Sequence, residues 1–233
     1  MTRAFVFPGQ GSQSIGMLSE YAKQYPVVTE TFSEVSDALS YDVWQLVQTG
    51  PEEKLNQTEY TQVAMLTADI AMYRILAVMD KDATLAAGHS LGEYAALVFA
   101  GSITLADAAK LVQARGQLMQ ANVPLGQGAM AAIVGLSDEQ VENICLEAST
   151  DEAHLVSPAN FNAIGQVVIA GHTPAVEKAI ALADAKEARM ARLIPVSVPC
   201  HCQLLTKASE QFQSVLHATP MQKPTKKIIS NVD

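Results

Sequence analysis

Gly88, Ser90 and Gly92 stand two residues apart in a G-x-S-x-G pattern that admits few backbone paths. Leu85-Ala86-Ala87 before it is a short apolar run of strand type, and Leu91 to Ala100 after it is a good helix former that stops at Gly101. Strand, tight turn and helix in that order form a nucleophile elbow, which lifts the serine hydroxyl out of an α/β fold while the glycines leave room for the backbone. The helix N-terminus beside Ser90 offers unpaired N–H groups and a positive dipole end that favour an oxyanion, with the Leu91 N–H as first candidate donor. The five-residue pattern alone is common; the flanking strand and helix make it specific.

The chain can bury a sizeable core: 233 residues, 49% hydrophobic and 17% charged, suit one domain with an insertion or two modest domains. Met1 to Phe7 carries only four consecutive apolar residues before Pro8, too few for a signal peptide, and no segment is expected to span a membrane. Cys145, Cys200 and Cys202 have no paired spacing, which points to free thiols in a reducing compartment and places the chain in the cytoplasm. A net charge of −9 argues against nucleic acid as a partner. The charge is uneven, with 8 Lys and Arg against 21 Asp and Glu up to residue 185 and 7 against 3 beyond it.

Arg3 to Phe7 reads as a buried strand, followed by a tight loop, Pro8-Gly9-Gln10-Gly11-Ser12-Gln13. A dinucleotide or phosphate loop fits poorly, because Ser14 stands where the third glycine is needed and no Lys-Ser or Lys-Thr follows. Such glycines suit a different task, bringing a backbone N–H such as that of Gln10 close to a reacting group. Helical patterns follow over Met17 to Tyr25, Val27 to Leu39, Val43 to Gln48 and Glu59 to Met79. Gln62 near the start of the last is either a neighbour of the helix cap or part of a pocket lining.

Thr104-Leu105-Ala106-Asp107 signals a capping box. The helix it opens has an apolar stripe of Ala108, Leu111, Val112, Leu118 and Met119, and Arg115 falls within that stripe. An inward guanidinium cannot shed its proton, so it needs a carboxylate, either the protein's own or a ligand's, or it snorkels. From about residue 127 the texture becomes βαββαβ: strands at Ala129 to Val134, His154 to Ala159, Gly165 to Ala170 and Arg192 to Val198, helices at Ser137 to Glu147 and Thr173 to Ala188. This order predicts a ferredoxin-like domain over 127–197 inserted in a larger α/β domain made of 1–126 and 198–233. Its hairpin carries Asn160-Phe161-Asn162, as turn chemistry or as a polar wall. A helix from Leu204 to His217 and a strand beginning at Lys227 complete the pattern.

A serine hydroxyl needs a base within hydrogen-bond reach. His89 adjoins Ser90 but points the other way along the chain, and His154, His172 and His217 lie in surface-like settings. His201 follows a strand end and a proline, in the Ser-then-His order of hydrolase-like folds, and is the candidate base. Metal binding by Cys200, His201 and Cys202 is disfavoured, since three consecutive residues do not easily converge on one tetrahedral ion.

Taken together, Phe7 to Gln13, Gly88 to Tyr94, Arg115-Gly116, Gly128 to Ala132, Asn160 to Asn162, Gly165 to Gly171 and Val198 to Cys202 resemble, in order, the bacterial malonyl-CoA:acyl carrier protein transacylases. The resemblance implies an α/β-hydrolase-like large domain and a ferredoxin-like small one, with a Ser-His pair at the cleft between them. It implies that Ser90 attacks a malonyl thioester, that His201 is base and then acid, that the N–H groups of Gln10 and Leu91 form the oxyanion hole, and that Arg115 holds the malonyl carboxylate. Gln62, Asn160, Asn162 and Gln166 are carried over as substrate-binding positions. The acyl group would pass to the phosphopantetheine thiol of acyl carrier protein in fatty acid biosynthesis, with malonyl-CoA as substrate, no cofactor, and a cytoplasmic monomer. Cys200 and Val63 depart from the family's usual serine and proline, and family members continue beyond the position of Asp233, so a truncated product of weak activity is expected. Two other readings stand beside this one: a thioesterase or esterase using the same elbow, and a carrier-protein-binding fragment docking through basic residues such as Arg189, Arg192 and Lys207.

Overall fold

The computed structural model describes residues 3–232. In chain order the elements are β1 (Ala4–Phe7), α1 (Ser19–Gln24), α2 (Val27–Leu39), α3 (Val43–Thr49), α4 (Glu52–Leu55), α5 (Thr58–Val78), β2 (Leu85–Gly88), α6 (Gly92–Phe99) and α7 (Leu105–Asn122). There follow β3 (Gly128–Val134), α8 (Asp138–Ala148), β4 (Val156–Ala163), β5 (Gln166–His172), α9 (Thr173–Ala185), β6 (Met190–Ile194), α10 (Thr206–Ala218) and β7 (Lys227–Ile229). They divide between two compact units, Met1–Gln117 with Gln213–Asp233, and Leu118–Phe212.

The first unit holds a parallel sheet in the order β1-β2-β7, with Phe7 opposite Gly88 and Ala87 opposite Ile229. Parallel neighbours so far apart in sequence need long crossovers, which the helices between them supply. β1 departs from the buried strand expected of it: Phe7 is buried but Val6 is 74% exposed. The run is uniformly apolar, yet only the face of Phe5 and Phe7 is packed: Phe5 meets the rings of Tyr73 and Phe99 edge-on at 5.8 and 5.4 Å, and Phe7 lies tilted against Phe99 at 6.1 Å. α5 is the core helix of this unit. Its length and hydropathy would suit a membrane span, but every residue from Thr61 to Ala71 is buried within the protein.

α7 begins where its sequence signal lies, though its cap is half of the expected box. The Asp107 N–H donates to the Thr104 hydroxyl at 3.1 Å, while Asp107 Oδ2 accepts from that hydroxyl instead of reaching back to the main chain. The reciprocal box occurs at α8, between Ser137 and Gln140.

In the second unit the βαββαβ succession builds an antiparallel sheet in the order β4-β5-β3-β6. Alternation along each strand buries both faces. Ala131, Ile133, Val167 and Ile169 pack with Val141, Ile144, Val176 and Ala179 of α8 and α9, whereas Met130, Val168 and Ala170 meet Met119, Val123, Val198 and Cys200. Asn160 and Asn162 lie inside β4, not in a turn. The turn falls at Ala163 to Gln166, and two register shifts, between Pro158 and Asn160 and between Phe161 and Ala163, let β4 absorb the irregularity.

Candidate active site

β2 ends at Gly88 and α6 begins at Gly92, leaving three residues to reverse the chain. Ser90 absorbs the turn with φ 52°, a left-handed conformation that a residue with a side chain rarely adopts. The glycines on either side serve space. A Cβ on Gly88 would lie 1.9 Å from the Gly92 carbonyl carbon, and one on Gly92 would lie 2.2 Å from the Phe7 oxygen. Strand end, helix start and the β1 loop are therefore packed backbone on backbone, which no other residue type allows. Gly9 adds to this: its Cβ would lie 2.7 Å from the His89 oxygen.

The hydrogen bonds of the elbow assign its donors. The His89 N–H donates to the Phe7 carbonyl at 2.9 Å, the Gly92 N–H to the His89 carbonyl at 3.0 Å, and the Glu93 N–H to the Ser90 carbonyl at 3.1 Å. The Ser90 N–H donates to Oδ1 of Asn231 at 2.7 Å. None of these bonds uses the Leu91 N–H, which caps the start of α6 and has the helix dipole behind it.

Arg115, Gln62 and Gln10 come together in the first unit through a residue that sequence reasoning missed. Arg115 Nη1 donates to Gln62 Oε1 at 2.7 Å, Gln62 Nε2 donates to the Thr58 hydroxyl at 2.9 Å, and that hydroxyl donates to Gln10 Oε1 at 2.9 Å. Gln62 is fully buried and Thr58, the first residue of α5, nearly so. The approach of the two helices rests on Gly116, where a Cβ would lie 2.4 Å from Glu59 Cα. Arg115 also lies over the Tyr94 ring, 5.9 Å from its centroid. Burial pushes the Tyr94 phenol up, and the Arg115 charge opposes that shift. Among the described residues no carboxylate forms an ion pair with Arg115. The inward guanidinium is held by an amide oxygen and a ring face, neither of which neutralises it.

The other expected site residues belong to the second unit. Asn160 is half-buried and Asn162 exposed on edge strand β4, and Gln166 is exposed at the start of β5. His201 is exposed, at φ 59°, on a turn pinned from below: Pro199 and Cys200 are buried, and the Cys200 N–H donates to Met130 Sδ at 3.2 Å. Gly128 makes room for the Pro199 ring, since a Cβ there would lie 2.3 Å from Pro199 Cγ. The flanking thiols face main-chain carbonyls, Cys200 toward Val198 and Cys202 toward Pro199. Burial pushes the Cys202 thiol up to about 11, so it carries little thiolate at neutral pH.

A serine raised on a strained strand-to-helix turn, with a helix N-terminus behind it, defines the class of proteins that work by acyl transfer through a serine. A model described as an acyl transferase domain matches residues 4–233. The malonyl CoA-acyl carrier protein transacylase of Escherichia coli K12 is 52% identical over 231 residues, 99% of this chain and 74% of that protein. That of Bacillus subtilis is 40% identical over 229 residues, covering 98% and 72%. Among solved structures, the malonyl CoA-acyl carrier protein transacylase from Coxiella burnetii superposes with a TM-score of 0.96 at 48% identity, over 100% of this chain and 73% of that one. A malonyl-transacylase solved in complex with its type II PKS acyl-carrier protein gives 0.95 at 48% identity, over 100% and 75%. The chain belongs to the malonyl CoA-acyl carrier protein transacylase family of acyl transferase domains.

Proposed function

We propose that this protein transfers the malonyl group of malonyl-CoA to the phosphopantetheine thiol of acyl carrier protein, in fatty acid biosynthesis, through a malonyl-Ser90 intermediate. The observation that carries the specificity is the buried amide of Gln62 aiming the Arg115 guanidinium, with no carboxylate of the described chain paired to it. A half-buried cation with no counter-ion among the described residues is poised for a ligand's carboxylate, and the planar fork of arginine suits it bidentately. An uncharged acyl group would leave that cation unpaired.

In the first half-reaction Ser90 Oγ attacks the thioester carbonyl while His201 takes its proton, and the oxyanion is met by the N–H groups of Leu91 and Gln10. Collapse breaks the carbon–sulfur bond, and the departing CoA sulfur receives the proton from His201. In the second half the carrier's thiol attacks malonyl-Ser90, His201 takes the thiol proton, and collapse returns it to Ser90 Oγ. Asn160, Asn162 and Gln166 are proposed to contact the substrate as polar groups of the second unit; their partial or full exposure is compatible with that role.

We read the first unit as α/β-hydrolase-like, on the support of the parallel β1-β2-β7 sheet and the Ser90 turn between β2 and α6. The second is read as ferredoxin-like, on the support of its βαββαβ succession and β4-β5-β3-β6 order, with an insertion spanning 127–197 between 1–126 and 198–233. We read the protein as a cytoplasmic monomer; the three free cysteines support the reducing compartment.

Incubation with malonyl-CoA or acetyl-CoA followed by intact-mass and peptide mass spectrometry tests the proposal. The expected result is a malonyl adduct on Ser90 that disappears when carrier protein is added. An adduct elsewhere, or one lost equally fast to water alone, would overturn it.

A further inference from the structure

We propose that Asn231 is a positioning residue for the nucleophile, a side-chain clamp that continues the β2–β7 ladder across the elbow. The proposal rests on the reading of Ser90 as the acylated residue. Paired backbone between these strands ends at Ala87 opposite Ile229, the last register before the turn. Beyond it the β2–β7 ladder stops short of the Gly88 carbonyl and the Ser90 N–H. Asn231 meets both: its Oδ1 accepts from the Ser90 N–H at 2.7 Å and its Nδ2 donates to the Gly88 carbonyl. A planar side-chain amide copies a peptide group, one acceptor and one donor in a plane, and here it stands in for the next residue of a parallel strand. A third contact fixes the clamp itself, since the Asn231 N–H donates to Glu93 Oε1 at 3.1 Å in the first turn of α6.

Two consequences follow for the chemistry. The left-handed Ser90 backbone is unfavourable by itself, and contacts on the peptide groups either side of His89 hold the turn that aims the hydroxyl. Because its N–H is committed to Asn231, Ser90 cannot turn that group toward the oxyanion, which leaves Leu91 as the elbow's donor. Nothing in the sequence marks this role: Asn231 is one polar residue after a short apolar strand, 141 positions from Ser90. It is exposed, so truncating it opens no cavity in the core.

The test compares the parent chain with Asn231→Ala, Asn231→Asp and Ser90→Ala, reading amide hydrogen exchange and the rate of malonyl adduct formation. In Asn231→Ala, exchange at Ser90 should rise about tenfold or more while the interior amides of α6 keep their protection. Adduct formation at saturating malonyl-CoA should slow roughly ten- to a hundredfold with its half-saturation unchanged. The Asn231→Asp carboxylate accepts from the Ser90 N–H but cannot donate to Gly88. Its rate relative to the parent should therefore recover as pH falls and the protonated acid regains a donor. Parent-like acylation in Asn231→Ala, or loss of protection across all of α6 together with Ser90, overturns the clamp. An adduct that survives Ser90→Ala counts instead against the reading of Ser90 as the acylated residue, and the exchange rates then judge the clamp alone.

Discussion

Arg115 and Gln62 meet at 2.7 Å between α7 and α5, guanidinium to amide oxygen, and the amide is turned so that its other end continues into Thr58 and Gln10. The proposed carboxylate anchor and a residue of the proposed oxyanion hole thus share one line of hydrogen bonds. Arg115 donates at one end and Gln10 accepts at the other, while Gln62 and Thr58 each accept from one neighbour and donate to the next, so neither can reorient without breaking a bond on each side.

Arg115→Ala should lower malonyl loading of Ser90 by about a hundredfold or more while acetyl loading stays within a few-fold of the parent, because only the carboxylate-bearing acyl group loses its counter-charge. Gln62→Leu should lower malonyl loading less, on the order of tenfold, by leaving the guanidinium present but unaimed. Adduct formation followed by mass spectrometry with each thioester checks both, and equal losses for the two would refute the carboxylate role.

Thr58→Val keeps the shape and removes the hydroxyl that joins Gln62 to Gln10. The buried Gln62 amide nitrogen loses the Thr58 acceptor, which should cost about 0.5–1.5 kcal/mol in urea unfolding. Thr58→Ser should recover most of that stability, and failure to do so would mean that the methyl group, not the hydroxyl, is what matters.

His201→Ala should abolish Ser90 acylation while shifting the thermal midpoint little, since the ring is exposed and its turn is anchored by Pro199 and Cys200. Acylation at the parent's rate would leave the serine's base unassigned.

Asp69 gives a pH dependence of stability distinct from that of catalysis. It lies in α5, 6% exposed, with Oδ2 lacking a hydrogen-bond partner, and burial pushes its carboxyl up from 3.8 to about 8. The folded chain therefore holds this proton more tightly than the unfolded one. The associated stability is complete below the unfolded value and is lost as pH rises from about 4 toward about 8. Asp69→Asn should remove that slope, with a gain on the order of a few kcal/mol at the alkaline end. Urea unfolding at a series of pH values checks it, and parallel curves for parent and variant would show that Asp69 does not carry the effect.

The elbow was legible because two independent signals coincide there, glycine spacing and the change from strand to helix periodicity at Ser90. Arg115 was legible for a similar reason, a charge set in an apolar stripe. Thr58 was not, because a threonine at a helix start looks like an ordinary first-turn residue and its two partners are brought to it only by folding. β1 was misjudged since an apolar run does not say whether one face or both are covered, and Val6 is on the open one. Asn160 to Asn162 were open to a turn or a polar wall by composition, and pairing with β5 sets them in a strand through two register shifts. Asn231 gave no signal at all, because a side chain that imitates backbone has no periodicity to betray it.

The parallel sheet also sets a timetable. Ser90 and its helix leave the ribosome long before Asn231, and β2 gains its second neighbour only once residues 227–229 have been made. Contacts of such separation are slow to close and carry the entropy of everything between them. A nascent chain therefore exposes Ser90 early, and the hydrogen bonds that Asn231 makes to the Ser90 turn can form only once synthesis has passed Asn231.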